Sequence, residues 1–190
     1  MMLSALRMPG NIEGRLADLQ GTLFREQGLI SARALPPLVP LLWTRTPPEL
    51  AALDPAPLPP LTVTVPAAGN AGVVLGLSPL GPLEKLATHL AEAAREAPAG
   101  GNAKTGWVAG DDAPVAPVAL GAPAILLAPA PSRHAAPPPD AAALSVDAIH
   151  GTVIRSFTLV VLEIRVWEGE GPERVVWEEV ARRRLRKQRA

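Results

Sequence analysis

An α+β fold of two pseudo-symmetric lobes, each an antiparallel sheet with an outer helix and with a central cleft between them, is what the sequence predicts. Three patterns carry that expectation. One stretch in each half repeats apolar residues at helical spacing. Short β-rich runs flank both stretches. Each half also holds one apolar run introduced by proline, "LPPLVPLLW" from Leu35 and "GAPAILLAP" from Gly121. One good helix and one proline-announced strand in each half read as a pseudo-repeat.

The elements follow in order along the chain. Met2 to Met8 is a short apolar strand, and Pro9, Gly10 and Asn11 form a turn and a helix start. Ile12, Leu16, Leu19 and Leu23 then share a helical stripe, with Glu13, Arg15, Asp18 and Gln20 on other faces, so the spacing predicts an amphipathic helix ending near Gly28. "LPPLVPLLW" is a strand with Pro40 inside it. Proline lacks the ladder donor, which assigns that strand to a sheet edge or a bulge. Thr44 to Pro60 is a loop by composition, with one helical turn at Pro48 to Leu53. Leu61 to Val65 and Val73 to Leu77, joined by "AGNAG", form a hairpin. The clearest helix has Pro82 in its first turn and a stripe of Leu83, Leu86, Ala87, Leu90 and Ala94. A long loop precedes a buried strand at Pro123 to Ala128, and a Pro-Ala linker runs through Asp140. Thr152 to Trp167 reads as one long alternating strand, "EGEGP" turns it, and "ERVVWEEVA" returns as its partner. A basic tail, 182–190, closes the chain.

Composition narrows the function classes. At 190 residues and 48% hydrophobic, the chain is long and apolar enough to bury a core, and residues 1–190 read as a single bilobal domain. No apolar run approaches the roughly 18 residues of a membrane span. The stretch "MMLSALRMPGN" is too short for a signal segment and is stopped by Pro9 and Gly10, so the expectation is a cytoplasmic protein with no membrane partner. A formal net charge of zero argues against a nucleic-acid binder working through bulk electrostatics. The absence of cysteine excludes disulfides, thiol catalysis and cysteine metal sites.

With the elements laid out, the chain resembles the two-histidine phosphoesterase superfamily, in its 2'-5' RNA ligase-like branch. "LSALRMPGNIEGRLADLQGTL" is similar to the opening strand, proline and amphipathic helix of that family. "ALPPLVPLLW" resembles its first motif strand, Leu-Pro-Pro-His-x-Thr-Leu, and "GAPAILLAP" its second, Pro-His-x-Thr-Leu-Ala. "LPPLTVTVPAAGNAGVVLGLSPLGPLEKLATHLAEAA" is similar to its middle hairpin and second-lobe helix, and "TVIRSFTLVVLEIRVWEGEGPERVVWEEVARRRL" to its closing hairpin. The resemblance covers nearly the whole chain and rests on element order and strand character. It implies two lobes around a cleft, a histidine from each motif strand as general base and general acid, and threonines that bind phosphate. Histidine suits that task because it titrates near neutrality. In this sequence the first histidine and threonine positions are Leu38 and Pro40, and the second are Ala124 and Leu126. All four polar functions are absent, so both motifs are degenerate. The two motif strands, Leu38 to Trp43 and Pro123 to Ala128, are expected in different lobes, facing each other across a cleft, with Leu38 buried and Ala124 and Leu126 with it.

Other polar residues compete for a role. His150 and Thr152 lie in "HGTV", a literal His-x-Thr-x, but one that precedes the closing hairpin and reads as the approach to a strand. A single histidine would leave acid–base chemistry without its partner, at a cost of about 10²- to 10⁴-fold. His134, with Ser132 and Arg133, follows the second motif-like strand; Arg133 is the candidate ligand-binding cation. His89 is offset from its helix stripe and reads as solvent-facing. The three histidines stand in unrelated contexts, so no metal site is expected. Asp111 and Asp112 read as a solvated turn, and neither "GNAG" nor "AGGNAKTG" has P-loop spacing. Arg182, Arg183, Arg184, Arg186, Lys187 and Arg189, with Trp167 and Trp177, are a candidate surface for RNA phosphates and bases. Against that reading, Glu170, Glu173, Glu178 and Glu179 offset the positive field.

The expectation is a 2'-5' RNA ligase or cyclic phosphodiesterase-like protein without catalysis, which acts by binding. RNA or a nucleotide in the inter-lobe cleft is the ligand that the resemblance implies, with no cofactor. Two alternatives stay open: an active RNA 2',3'-cyclic phosphodiesterase or 2'-5' RNA ligase using the displaced histidines, and a structural or partner-binding protein.

Overall fold

The computed structural model describes residues 1–45, 47–50, 57–69, 72–96, 123–129, 144–167 and 174–185. Among them, eight strands and two helices follow in the order β1 (Met2–Arg7), α1 (Gly10–Gln27), β2 (Val39–Thr44), β3 (Leu61–Gly69), β4 (Gly72–Ser78), α2 (Gly81–Glu96), β5 (Ile125–Pro129), β6 (Val153–Ile154), β7 (Thr158–Trp167) and β8 (Arg174–Arg184), with a 3₁₀ turn at Ile30–Arg33. The strands form two four-stranded sheets, β2-β1-β7-β8 and β5-β4-β3-β6, and every pair is antiparallel. This is the α+β, two-sheet layout that the sequence predicts.

Local chemistry accounts for the elements. In α1, Ile12, Leu16 and Leu23 are buried, and the helix stops where Gly28 turns left-handed at φ 66 and donates its N–H to the Leu23 carbonyl. In α2, Leu83, Leu86 and Leu90 are buried while Glu84, Lys85 and His89 face solvent. Pro40 lies in β2, an edge strand of its sheet, as a residue without an N–H requires.

Three expectations are corrected. The stretch Thr152 to Trp167 is two strands: β6 pairs with β3 at Leu61 and Thr62, and β7 opens at Thr158 in the other sheet. Ile154 and Phe157 are both buried in the main core. Three positions apart, they would point to opposite faces of an unbroken strand, and the break between the sheets lets both point inward. The first three residues of the stretch assigned to a basic tail belong to a strand. Arg182, Arg183 and Arg184 are ladder residues of β8, opposite Val160, Leu159 and Thr158, and residues 186–190 lie outside the described ones. Gln20, placed with the polar residues of α1, is buried.

The main core is continuous between both sheets and both helices. It includes Leu6, Ile12, Leu16, Leu61, Leu75, Leu83, Leu127 and Leu159. A second, smaller apolar cluster lies on the other face of the first sheet, formed by Leu3, Ala5, Leu35, Leu38, Val160, Leu162 and Ile164, with Trp43, Leu126 and Val175 packed against it. The helical turn expected at Pro48 to Leu53 falls partly outside the described residues, as does the tip of the Leu61–Leu77 hairpin. None of the described helices is long and apolar enough to cross a membrane.

Candidate functional site: the junction of the two sheets

The two proline-announced strands end up side by side. β2 is the outer strand of one sheet and β5 the outer strand of the other. The Leu126 N–H donates to the Leu38 carbonyl at 2.7 Å, and the two residues form an isolated antiparallel bridge. The motif-like strands therefore lie in different sheets, as expected, but they are hydrogen-bonded side by side at one point rather than facing each other across a cleft.

The ladders give an independent reason to treat the two strands as equivalents. In β2, Pro40 is opposite Ala5 and Leu42 opposite Ser4, so Leu41 is an extra, bulged residue. In β5, Leu126 is opposite Val74 and Ala128 opposite Val73, so Leu127 is the bulged residue. Each bulge falls at the last position of the His-x-Thr-x frame, Leu38 to Leu41 and Ala124 to Leu127. The same frame matches Leu38 with Ala124 and Pro40 with Leu126. Under that match, the counterpart of the Leu126 N–H to Leu38 bond would run from residue 40 to the carbonyl of Ala124. Residue 40 is proline and has no N–H. That is a physical reason for the bridge being isolated.

A side chain from α1 clamps the junction. The Gln20 amide donates to the Leu35 carbonyl at 3.1 Å and to the Leu127 carbonyl at 2.8 Å. Leu35 leads into β2, and Leu127 is the residue that the β4–β5 ladder skips. One amide thus ties the helix, the approach to one motif-like strand and the bulge of the other. Sequence reasoning missed it because glutamine was read by polarity alone. Its position, four residues after Leu16 and eight after Ile12, was the available signal.

The positions where the resemblance implies catalysis are apolar. Leu38 is 0% exposed and belongs to the second core. Pro40 is buried, whereas Ala124 and Leu126 are only half-buried, less than expected. Leucine, proline and alanine can neither carry a proton nor donate a hydrogen bond from a side chain. Two of the cations that flank this face in register, Arg7 and Arg182, are held by carboxylates, whereas Arg184, opposite Thr158 on the same face, is exposed. Arg7 pairs with Glu13 and lies 3.3 Å from Glu179, which also takes Arg182 at 2.6 Å. Burial is the largest single influence on the Arg7 guanidinium and acts to lower its pKa, but Glu13 and Glu179 together outweigh it and leave the net shift upward.

The remaining candidates are dispersed. His150 is exposed in the turn before β6, which is hooked onto β3 through Gly151 N–H to the Val63 carbonyl and Val63 N–H to the Thr152 carbonyl, each at 2.9 Å. Thr152 is half-buried there. β6 lies three strands from β5, about 14 Å at the usual strand spacing. His150 and Thr152 are therefore at the opposite edge of their sheet from the motif-like strand. His89 is exposed on α2. Ser132, Arg133, His134, Asp111, Asp112 and the "AGGNAKTG" run lie outside the described residues. Among the described residues, no three His, Cys, Asp or Glu side chains gather to hold a metal.

Beside the junction, a groove of about 510 Å³ runs along α1, between Gly14, Ala17 and Gly21 on one side and Leu35, Pro37 and Trp177 on the other. Arg33, which also lines it, rests its guanidinium 4.6 Å from the centre of the Phe24 ring.

No protein-family model matches the sequence, and no curated protein matches it either. Among solved structures, the chain is similar to crystal structures of E. coli LigT. The LigT complex with 3'-AMP is 19% identical over 97% of this chain and 96% of that chain, with a TM-score of 0.48. The apo form is 21% identical over the same shares, with a TM-score of 0.49. The complex with phosphate is 19% identical, also at 0.49.

Proposed function

We propose that this chain is a 2'-5' RNA ligase-like protein that has no phosphoesterase activity and acts by binding. The observation that carries the reading is the environment of Leu38. It stands where the resemblance puts an acid–base histidine, its side chain is 0% exposed, and its carbonyl is bonded to Leu126. The equivalence of the two motif-like strands is supported by the matching bulges at Leu41 and Leu127. General acid–base chemistry needs a titratable group within about 2.6–3.2 Å of the proton it moves. Neither Leu38 nor Ala124 carries one.

A partner-binding or structural role is favoured over a nucleotide role by the same face. Its floor is leucine, alanine, valine and isoleucine, and two of its flanking cations, Arg7 and Arg182, already hold carboxylates. A phosphate held by Arg7 or Arg182 would have to displace an ion pair, which leaves Arg184 as the exposed cation of this face. The reading that keeps activity through His134 and His150 gains no support from the position of His150, on the far side of β3 and β4 from β5.

Two measurements test the proposal. Purified protein incubated with a 2',3'-cyclic nucleotide should give hydrolysis at the level of buffer. Turnover that disappears in His150→Ala or His134→Ala overturns the reading. Calorimetric titration with 3'-AMP should show no heat of binding beyond dilution. A saturable heat would return a nucleotide to the site.

A further inference from the structure

The first sheet ends in β8, which has β7 on one side only, and among the described residues no strand pairs with its other edge. At 11 residues it is the longest described strand, about 37 Å of backbone. An open edge of that length presents a row of N–H and C=O groups that another strand can complete. Three large apolar side chains on β8 face solvent: Val176 at 52%, Trp177 at 37% and Val180 at 43% exposure.

The charges of β8 name the partner. Glu178 and Glu179 precede Val180 and Ala181, and Arg182, Arg183 and Arg184 follow. β8 opens on Arg174, but from Glu178 onward its acids precede its bases, and that segment is complementary to its own copy when the two run antiparallel. The bulge selects the register. In a regular strand, residues an odd number of positions apart point to opposite faces. In β8 the ladder places Glu179 opposite Leu162 and Ala181 opposite Val161, so Val180 is an extra residue and the alternation slips by one across it. Glu179 and Arg182, opposite Leu162 and Val160, therefore share one face. Trp177 and Arg184, opposite Ile164 and Thr158, share it with them. Glu178 and Arg183, opposite Glu163 and Leu159, share the other. The two-fold register that matches faces on both sides of the bulge sets Glu178 against Arg183, Glu179 against Arg182 and Trp177 against Arg184 of the second copy.

We propose that β8 pairs antiparallel with β8 of a second copy of this chain, about a two-fold axis at Val180 and Ala181, joining two four-stranded sheets into one continuous sheet. Within one chain, Glu179 already holds Arg7 and Arg182, and Arg183 donates to the Leu50 carbonyl. The cross-axis ion pairs exchange one partner for another and add little affinity. Attraction comes from the backbone ladder and from covering Val176, Trp177 and Val180, while the charges set direction and register. The interface is separate from the β2–β5 junction and does not depend on what that junction does.

The chain has no cysteine, so one engineered thiol reports on one position. Sedimentation equilibrium of the full chain across the micromolar range should show a reversible monomer–dimer equilibrium. Glu178→Lys places a lysine against Arg183 twice and should weaken the dimer about tenfold, with the thermal melt of the monomer no lower, because residue 178 faces Glu163 within its own sheet. Val180→Cys should oxidise to a covalent dimer, whereas Val65→Cys, more exposed still on β3, should remain monomeric under the same oxidant. A monomer at every concentration overturns the proposal. So does a dimer that ignores Glu178→Lys, or cross-linking that is equal at Val65 and Val180.

Discussion

Replacing Gln20 by leucine keeps the size of the side chain and removes its amide. Gln20 is buried, and its amide nitrogen bonds two main-chain carbonyls, Leu35 at 3.1 Å and Leu127 at 2.8 Å. An intramolecular hydrogen bond is worth about 0.5–1.5 kcal/mol net, and a buried acceptor left without a donor costs about 1–3 kcal/mol. The bulge makes the second figure the relevant one at Leu127, because the ladder to β4 skips that residue. With the extra apolar contact of leucine offsetting part of the loss, Gln20→Leu should destabilise by about 2–4 kcal/mol. For a chain of this length that is a fall of roughly 4–16 °C in Tm. Urea unfolding and calorimetry read it directly. Gln20→Glu adds a pH signature. An ionised carboxylate would face two carbonyl oxygens in a buried site, so the folded-state pKa of the introduced carboxyl would lie above its unfolded value. The folded state then binds the proton more tightly, and the variant loses stability as pH rises from the ordinary carboxylate pKa through the raised one. If Gln20→Leu melts with the parent, the amide does not clamp the junction, and the account of how α1 holds β2 to β5 is wrong.

Three further outcomes follow from the same geometry. If β2 and β5 are equivalents, Pro40→Ala supplies the counterpart of the Leu126 N–H, so hydrogen exchange should find the new amide protected, with a stability change within about 1 kcal/mol because proline's rigidity is lost at the same time. The double variant Leu38→His with Ala124→His should be about 3–5 kcal/mol less stable by urea melt, almost all of it from Leu38, and should gain no cyclic-nucleotide hydrolysis. The Arg165 hydrogen bond, with its charge, holds the Glu163 carboxyl below the usual carboxylate range. Its contribution is present above the ordinary carboxylate pKa and lost as pH falls through the depressed one, so Glu163→Gln should flatten the acid limb of the urea midpoint slightly.

What the sequence makes legible here is what local pattern encodes. Ile12, Leu16 and Leu23 announce α1, Gly28 its end, and Pro40 an edge strand, because each acts through its own backbone or its own helix face. The break between Ile154 and Phe157 is invisible to alternation counting. It depends on which sheet receives each residue, and the two candidate partners, β3 and β1, are far away in the chain. The bulges at Leu41 and Leu127 are hidden for the same reason, since they are properties of register against β1 and β4. Gln20 is hidden by its chemistry, because polarity says surface while its acceptors come from the Leu35 and Leu127 main chain. The apolar character of positions 38, 40, 124 and 126 is plain in the sequence. Only the structure separates them into a sealed position, Leu38, and half-buried ones, Ala124 and Leu126.

The central claim is that residue 38, where the resemblance puts an acid–base histidine, is dry core. The chain carries no cysteine, so thiol labelling of Leu38→Cys under native conditions measures it without background. His150→Cys, exposed in its turn, serves as the open reference. The Leu38→Cys variant is predicted to label only at the rate of global unfolding, accelerating with urea in step with the loss of structure, while the His150→Cys variant reacts at once. Equal, immediate labelling of both variants would mean that residue 38 faces an open, wet cleft, and the case for a filled, non-catalytic junction would fail.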